Sequence, residues 1–311
     1  MSQAPVPVTI VTGFLGAGKS TLVQNWLAEL PRHETAVIVN ERGEVGIDGE
    51  LLAAHVARLR EISGGCVCCT SQAELMSALT ELAGSEPQPS RILVETSGAA
   101  SPAGVIRSLH ARRVREQLEL DGVVSVIDAQ RAAEVLEIDL AVEQLAFADV
   151  VVISHVDQAN DAQLSSVRAL VARHAPAAVV VHARRGALDC SFAQLLAQRA
   201  EALELPPAGT THTSIEAVSL IHAGELDEES FAAWVEDALA QVEARVLRIK
   251  GILAIRGVDE RVIVQGVSQA VEVQVGSPWG SGERTSRLVI LGLGLDSAAL
   301  EAGFSRCAAD P

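Results

Sequence analysis

Lysine is almost missing from this chain: Lys19 and Lys250 are the only two in 311 residues. With 24 Lys and Arg against 40 Asp and Glu, the formal net charge is −16 and the isoelectric point near 4.9. Nucleic acids and anionic membrane surfaces demand basic patches, whereas the arginines here are dispersed among acids, so neither partner is expected. Long apolar runs are also lacking. None approaches the roughly 18 residues of a membrane span, and a glycine-rich motif at 13–18 begins too early to leave room for a secretory leader; a cytoplasmic location is the expectation. The eight histidines form no tract, which excludes a metal-storage tail. There are five cysteines, three of them in Cys66-Val67-Cys68-Cys69. Neighbours so close cannot reach ordinary bridge geometry, so no disulfide framework is expected and reduced thiols fit better.

What is present begins with Gly13-Phe14-Leu15-Gly16-Ala17-Gly18-Lys19-Ser20, a phosphate-binding loop. The chain's own residue frequencies give roughly 0.001 chance occurrences of this pattern per sequence of this length. The β-branched run Val8 to Thr12 reads as a buried strand and Thr21 to Leu30 as the helix that follows, which is the context the motif requires. Backbone N–H groups of Gly13, Gly16, Ala17 and Gly18 would face phosphate oxygens, Lys19 would reach the β and γ phosphates, and Ser20, followed by Thr21 at the helix N-terminus, would offer its hydroxyl to Mg²⁺.

The hydrophobic pattern predicts an α/β domain over 1–204. Strands at Ala36–Asn40, Arg91–Thr96, Gly122–Asp128, Val150–Ser154 and Ala178–His182 alternate with helical stretches. Their continuous apolar character means both faces are covered, as in a doubly wound, mostly parallel sheet with ligands at the carboxyl ends of the strands. Leu205-Pro206-Pro207-Ala208-Gly209-Thr210 reads as a linker. Over 211–311, strands at Ser214–Leu220, Val246–Arg256, Val262–Val267, Val271–Val275 and Leu288–Leu293, with helices at Asp227–Leu239 and Ser297–Phe304, predict a smaller α+β domain with an antiparallel sheet.

Further motifs fall at strand ends. Ile92-Leu93-Val94-Glu95-Thr96-Ser97-Gly98 places the Glu95 carboxylate where a Mg²⁺-bound water is held and Gly98 where a backbone N–H can sense the γ-phosphate, like a Walker B followed by a switch. Asn40-Glu41-Arg42-Gly43-Glu44 supplies Glu41 to polarise water and Glu44 to coordinate a metal. Ser154-His155-Val156-Asp157 stands where guanine-specific proteins carry Asn-Lys-x-Asp, and the Asp157 carboxylate can accept the N1 and N2 hydrogens of guanine. In the bland alternative Asp157 is a helix N-cap. In Cys66-Val67-Cys68-Cys69, an extended backbone would turn the Cys66 and Cys68 thiols to one side, and a loop can bring in Cys69. Three soft ligands suit Zn²⁺ best, with Co²⁺ or Ni²⁺ also bindable. One position is left for Glu44, a histidine or another molecule, as a transferable metal needs.

These motifs, with Gly64-Gly65 before the cysteines and Glu41-Arg42-Gly43-Glu44-Val45-Gly46, resemble the CobW-like family of GTPases, which includes cobalamin-biosynthesis CobW proteins and zinc-trafficking metallochaperones. Arg248-Ile249-Lys250-Gly251-Ile252-Leu253 and Ser286-Arg287-Leu288-Val289-Ile290-Leu291-Gly292 resemble the family's C-terminal domain, so the resemblance spans nearly the whole chain. It implies slow GTP hydrolysis with Mg²⁺, metal bound by Cys66, Cys68 and Cys69, and delivery to a client metalloprotein, by a monomer or weak homo-oligomer. Two positions depart from the family pattern: Arg42 replaces a phenylalanine and His155 replaces the base-covering lysine. Two rival readings are a small-molecule kinase, since the same loop serves phosphoryl transfer to substrates, and a non-catalytic thiol or metal sensor switched by nucleotide.

Overall fold

The computed structural model describes residues 4–31, 34–40, 58–61, 70–110, 112–198, 216–240, 245–267, 270–280 and 283–309. Contacts divide the chain into two compact units, Met1–Val171 with Ala178–Arg199, and Ala172–Ala177 with Ala200–Pro311.

The first unit holds strands β1 (Val6–Thr12), β2 (Thr35–Asn40), β3 (Arg58–Glu61), β4 (Arg91–Thr96), β5 (Leu118–Asp128), β6 (Val150–Ser154), β7 (Val179–Arg184) and β8 (Ala187–Leu188). They pair in the order β3-β2-β4-β1-β5-β6-β7-β8. Every pairing is parallel except the short hairpin of β7 with β8. β1 therefore lies between β4 and β5, and the chain leaves it toward β2 on one side and returns to β5 on the other. That reversal makes a crevice at the carboxyl ends of the central strands. The centre of the sheet is dry: Val8, Ile10, Val11, Leu93, Val94, Val150 and Val152 are wholly buried, each gaining about 1.5–3 kcal/mol on leaving water. Of the helices, α1 (Lys19–Glu29) follows β1, and its buried Trp26 meets Phe192 edge-on at 4.8 Å.

Several strands exceed the sequence expectation, β5 and β3 most clearly. β5 starts at Leu118, four residues before the apolar run, and its alternating start Leu118-Glu119-Leu120 pairs with Val6 to Val8 of β1 while Asp121 takes an ion pair from Arg91. β3 has the sequence Arg58-Leu59-Arg60-Glu61 and sits at the sheet edge, in parallel register with β2. Hydrophobic runs mark only the strand portions that are covered on both faces.

The second unit is an antiparallel sheet of β9 (Glu216–Ala223), β10 (Arg245–Leu253), β11 (Glu260–Val267), β12 (Ala270–Pro278) and β13 (Thr285–Leu293), ordered β12-β11-β10-β13-β9. Leu220, Ile249, Val264, Leu288 and Ile290 belong to one core cluster with Phe231 and Phe304, which come from the two helices Glu228–Ala240 and Ser297–Ser305. Both helices are capped by aspartate: Asp227 accepts the Ser230 N–H at 2.9 Å and Asp296 the Ala299 N–H at 3.0 Å. Among the described residues no helix is long and apolar enough to cross a membrane.

His174, at the end of the helix Asp161–His174, is buried, and burial followed by the neighbouring Arg173 charge lowers its pKa to about 4. The native state therefore favours neutral imidazole, while the unfolded chain protonates near 6.5. Stability is complete above about pH 6.5 and declines as pH falls toward 4, by roughly 2–3 kcal/mol from this residue. Denaturant unfolding at pH 7 and pH 4.5 should show a smaller acid loss for His174→Leu than for the wild type. Equal losses would sink the assignment.

Candidate active site

The phosphate loop turns on glycines: Gly13, Gly16 and Gly18 have φ of 132°, 76° and 96°. A Cβ on Gly13 would collide with the Val126 carbonyl oxygen, so the loop can lie against β5 only without one. α1 starts at Lys19 with Gly18 as its cap, no side-chain capping bond and no acid in its first turn. Its first N–H groups and the positive end of its dipole thus remain available to an anion. Lys19 is buried to 5% exposure, and its Nζ donates to the Phe14 carbonyl at 3.3 Å, bridging the loop from within.

The end of β4 comes to the same place. Glu95 is 1% exposed, and the Ser20 hydroxyl donates to its Oε1 at 2.7 Å. A hydroxyl beside a buried carboxylate is a hard-oxygen pair suited to Mg²⁺, and it joins the first turn of α1 to the Walker-type strand. The Thr96 hydroxyl lies 3.1 Å from that of Thr12, fastening β4 to β1 just behind. Beyond it, a Cβ on Gly98 would stand 2.6 Å from the Leu15 nitrogen, so this segment rests directly on the phosphate loop.

From β6 comes the candidate base site. Ser154 is buried, with its Oγ 2.7 Å from the Ala17 carbonyl oxygen and 3.2 Å from that of Ile127. Its hydroxyl ties the end of β6 to the phosphate loop. His155 takes a left-handed φ of 54° and places Nδ1 3.1 Å from Ser154 Oγ and 3.4 Å from Asp128 Oδ2, beside Gly18. Asp157 accepts the backbone N–H of Arg185 at 3.3 Å, with the Arg185 guanidinium 3.8 Å from its second oxygen. Arg185 and Gly186 form the β7–β8 turn, with φ of 50° and 79°, and Gly186 packs on Thr21 and Asn25 of α1. The carboxylate proposed for the base is therefore positioned by a turn docked on the phosphate helix.

The structure thus brings Gly13, Gly16, Ala17, Gly18, Lys19, Ser20, Thr21, Glu95, Gly98, Ser154 and Asp157 to one end of the sheet. Glu41, Arg42, Glu44, Cys66, Cys68 and Cys69 lie outside the described residues. Among the described residues no group of three or more His, Cys, Asp or Glu is arranged to hold a metal. Sequence reasoning missed Asp128, Arg131, Gln144 and Arg185. Arg131 brings a cation beside Gly16. The one available signal was Arg185-Gly186 following a strand, a candidate two-residue hairpin turn. Cys190 and Cys307 stand apart from one another in sequence, and burial pushes both thiols upward.

A glycine loop opening an uncapped helix, a buried glutamate at the end of the neighbouring strand β4 and the Ser154–Asp157 segment at the end of β6 together fit a P-loop GTPase. The chain belongs to the CobW/HypB/UreG family: the nucleotide-binding domain of that family matches residues 7–182, and the cobalamin synthesis protein CobW C-terminal domain matches 215–308. It is 35% identical to the zinc chaperone CobW of Pseudomonas aeruginosa, over 96% of this chain and 90% of the relative. Identity to the zinc chaperone YjiA of Escherichia coli is 29%, over 97% and 98%. The crystal structure of Zn(II)-bound YjiA GTPase from E. coli shares the fold, with a TM-score of 0.74 at 24% identity, covering 99% of this chain and 100% of that one.

Proposed function

We propose that this GTPase is a zinc chaperone that couples GTP binding and hydrolysis to the binding and transfer of a divalent metal at Cys66, Cys68 and Cys69. Zinc is the assigned metal because relatives matching over nearly the full length are named zinc chaperones and because three thiolates suit it. The observation that carries the nucleotide half is the Ser20–Glu95 contact at 2.7 Å beneath the phosphate loop. Ser20 would hold Mg²⁺, with Glu95 behind it, and the bound ion would neutralise charge between the β and γ phosphates. Lys19 binds the phosphates, Gly98 reports the γ-phosphate, Asp157 selects the base, and Glu41 orients the attacking water. Glu44 is the candidate further metal ligand. A client metalloprotein would receive the metal.

The cysteine motif lies in sequence between the candidate switch at 40–44 and the Glu95–Gly98 segment. Coupling follows when contacts that order those segments around the γ-phosphate also change thiolate geometry. Reciprocity then requires GTP and zinc to alter each other's affinity by one factor. Zn²⁺ titration of anaerobically purified protein, with and without a non-hydrolysable GTP analogue, should give affinities that differ by about 5-fold or more. Identical affinities would refute the coupling.

A further inference from the structure

We infer that Gln144 is a positioning residue for γ-phosphate recognition, an inference that rests on the reading of Gly98 as the γ-phosphate reporter. Gln144 lies on the helix Asp139–Ala146 and is 1% exposed. Its Nε2 donates to two carbonyls of the segment after β4, that of Gly98 at 3.2 Å and that of Ala100 at 2.9 Å. An amide NH₂ has two hydrogens, so one side chain satisfies both acceptors. The adjacent Glu143 accepts the Ser101 hydroxyl at 3.0 Å, a second tie between the same helix and the same segment.

Gly98 is thereby held from two directions. Its Cα rests on the Leu15 backbone of the phosphate loop, and its carbonyl is fixed by Gln144. Fixing that carbonyl restricts ψ of Gly98, and together with the Cα seated on Leu15 it holds in place the residue whose N–H is assigned to the γ-phosphate. The other end of the amide makes no such contact. Oε1 is buried without a hydrogen-bond partner among the described residues, and Gln144 lines a cavity with Leu15, Val126, Arg131, Leu136 and Leu145. An apolar side chain would remove the unpaired Oε1 but would take the Nε2 donors from the Gly98 and Ala100 carbonyls. The two donors to the switch are what the amide supplies there, with one unpaired oxygen left over.

The test uses the full chain with Gln144→Met, which keeps the length and removes the donors, and Gln144→Glu, which keeps the shape and replaces the donor by an acceptor. Affinities for GDP and for a non-hydrolysable GTP analogue are measured with Mg²⁺ present, alongside kcat and KM for GTP. For both variants we expect GDP affinity within about 2-fold of the wild type, analogue affinity lowered about 10-fold, and kcat lowered about 10-fold. Equal losses for GDP and the analogue would make Gln144 merely structural and overturn the inference. So would a wild-type preference for the analogue that persists unchanged in both variants. A wild type that binds GDP and the analogue with equal affinity would overturn the underlying reading of Gly98 instead. Gln144→Glu keeps the test decisive if Gln144→Met does not fold.

Discussion

Lys19→Met will lower GTP turnover by about 10²–10³-fold while the protein remains folded. The expectation follows from where the cation sits. Lys19 is 5% exposed, and its ammonium is held against the Phe14 carbonyl inside the loop whose N–H groups would surround the phosphates. A charge fixed in a partly desolvated site acts on the transferring phosphoryl group without reorganising, and losing one such group in comparable sites costs about 3–4 kcal/mol of transition-state stabilisation. Methionine keeps the stem and removes the charge. The near absence of lysine supplies an unusually clean control. Lys250, the other lysine, is also 5% exposed but donates to the Ala177 carbonyl at 3.0 Å in the second unit. Lys250→Met should reduce stability and leave kcat within about 2-fold, since truncating a buried donor leaves an acceptor unpaired. Steady-state hydrolysis and denaturant unfolding on both variants separate the effects. Wild-type turnover in Lys19→Met would remove the phosphate assignment.

How much of this site could be read from the chain depends on what kind of constraint acts at each residue. The phosphate loop was fully legible, because backbone geometry dictates both glycine spacing and the lysine that follows. Glu95 was legible because a lone acid ends an otherwise apolar strand. Ser154 was recognisable by position, yet its work was not: only the structure shows the hydroxyl engaging the Ala17 carbonyl and so joining β6 to the phosphate loop. Gln144 and Arg131 gave no local signal, since each matters through a segment distant in sequence. Fold legibility failed in the same way. The edge strand β3 and the alternating start of β5 are set by pairing with neighbours, since neither is a continuous apolar run.

The base site sharpens the significance of His155. In the pattern it departs from, a lysine stem covers the base. Here the imidazole sits beside Gly18 and faces Asp128 and Ser154, so its nearest polar partners belong to the protein. Asp157 in turn already engages the Arg185 N–H. A carboxylate has further acceptor sites, so guanine recognition through Asp157 would add to the contact with the β7–β8 turn. That turn packs on Thr21 and Asn25 of α1, so the segment that engages Asp157 and the helix that opens from the phosphate loop rest on each other.

Replacing Cys66, Cys68 and Cys69 together by alanine will lower Zn²⁺ affinity by several orders of magnitude and leave guanine-nucleotide binding intact in the absence of metal. Thiolate coordination supplies most of the free energy of a sulfur-rich zinc site, and apparent values of about 10–16 kcal/mol are reached in structural sites at neutral pH. Removing every thiolate leaves at most a weak oxygen or nitrogen set such as Glu44. The remaining cysteines are poor substitutes, because burial pushes both the Cys190 and Cys307 thiols up and so opposes the thiolate form that metals bind. Coordination also displaces thiol protons, so wild-type affinity should rise with pH between about 6 and 8, a dependence the triple variant should lose in large part. Competition with a chromophoric chelator at pH 6, 7 and 8, run on both proteins under anaerobic conditions, measures affinity and proton release together. Tight, pH-dependent zinc binding retained by the triple variant would move the metal site to other ligands and break the proposed link between the cysteine segment and the nucleotide switch.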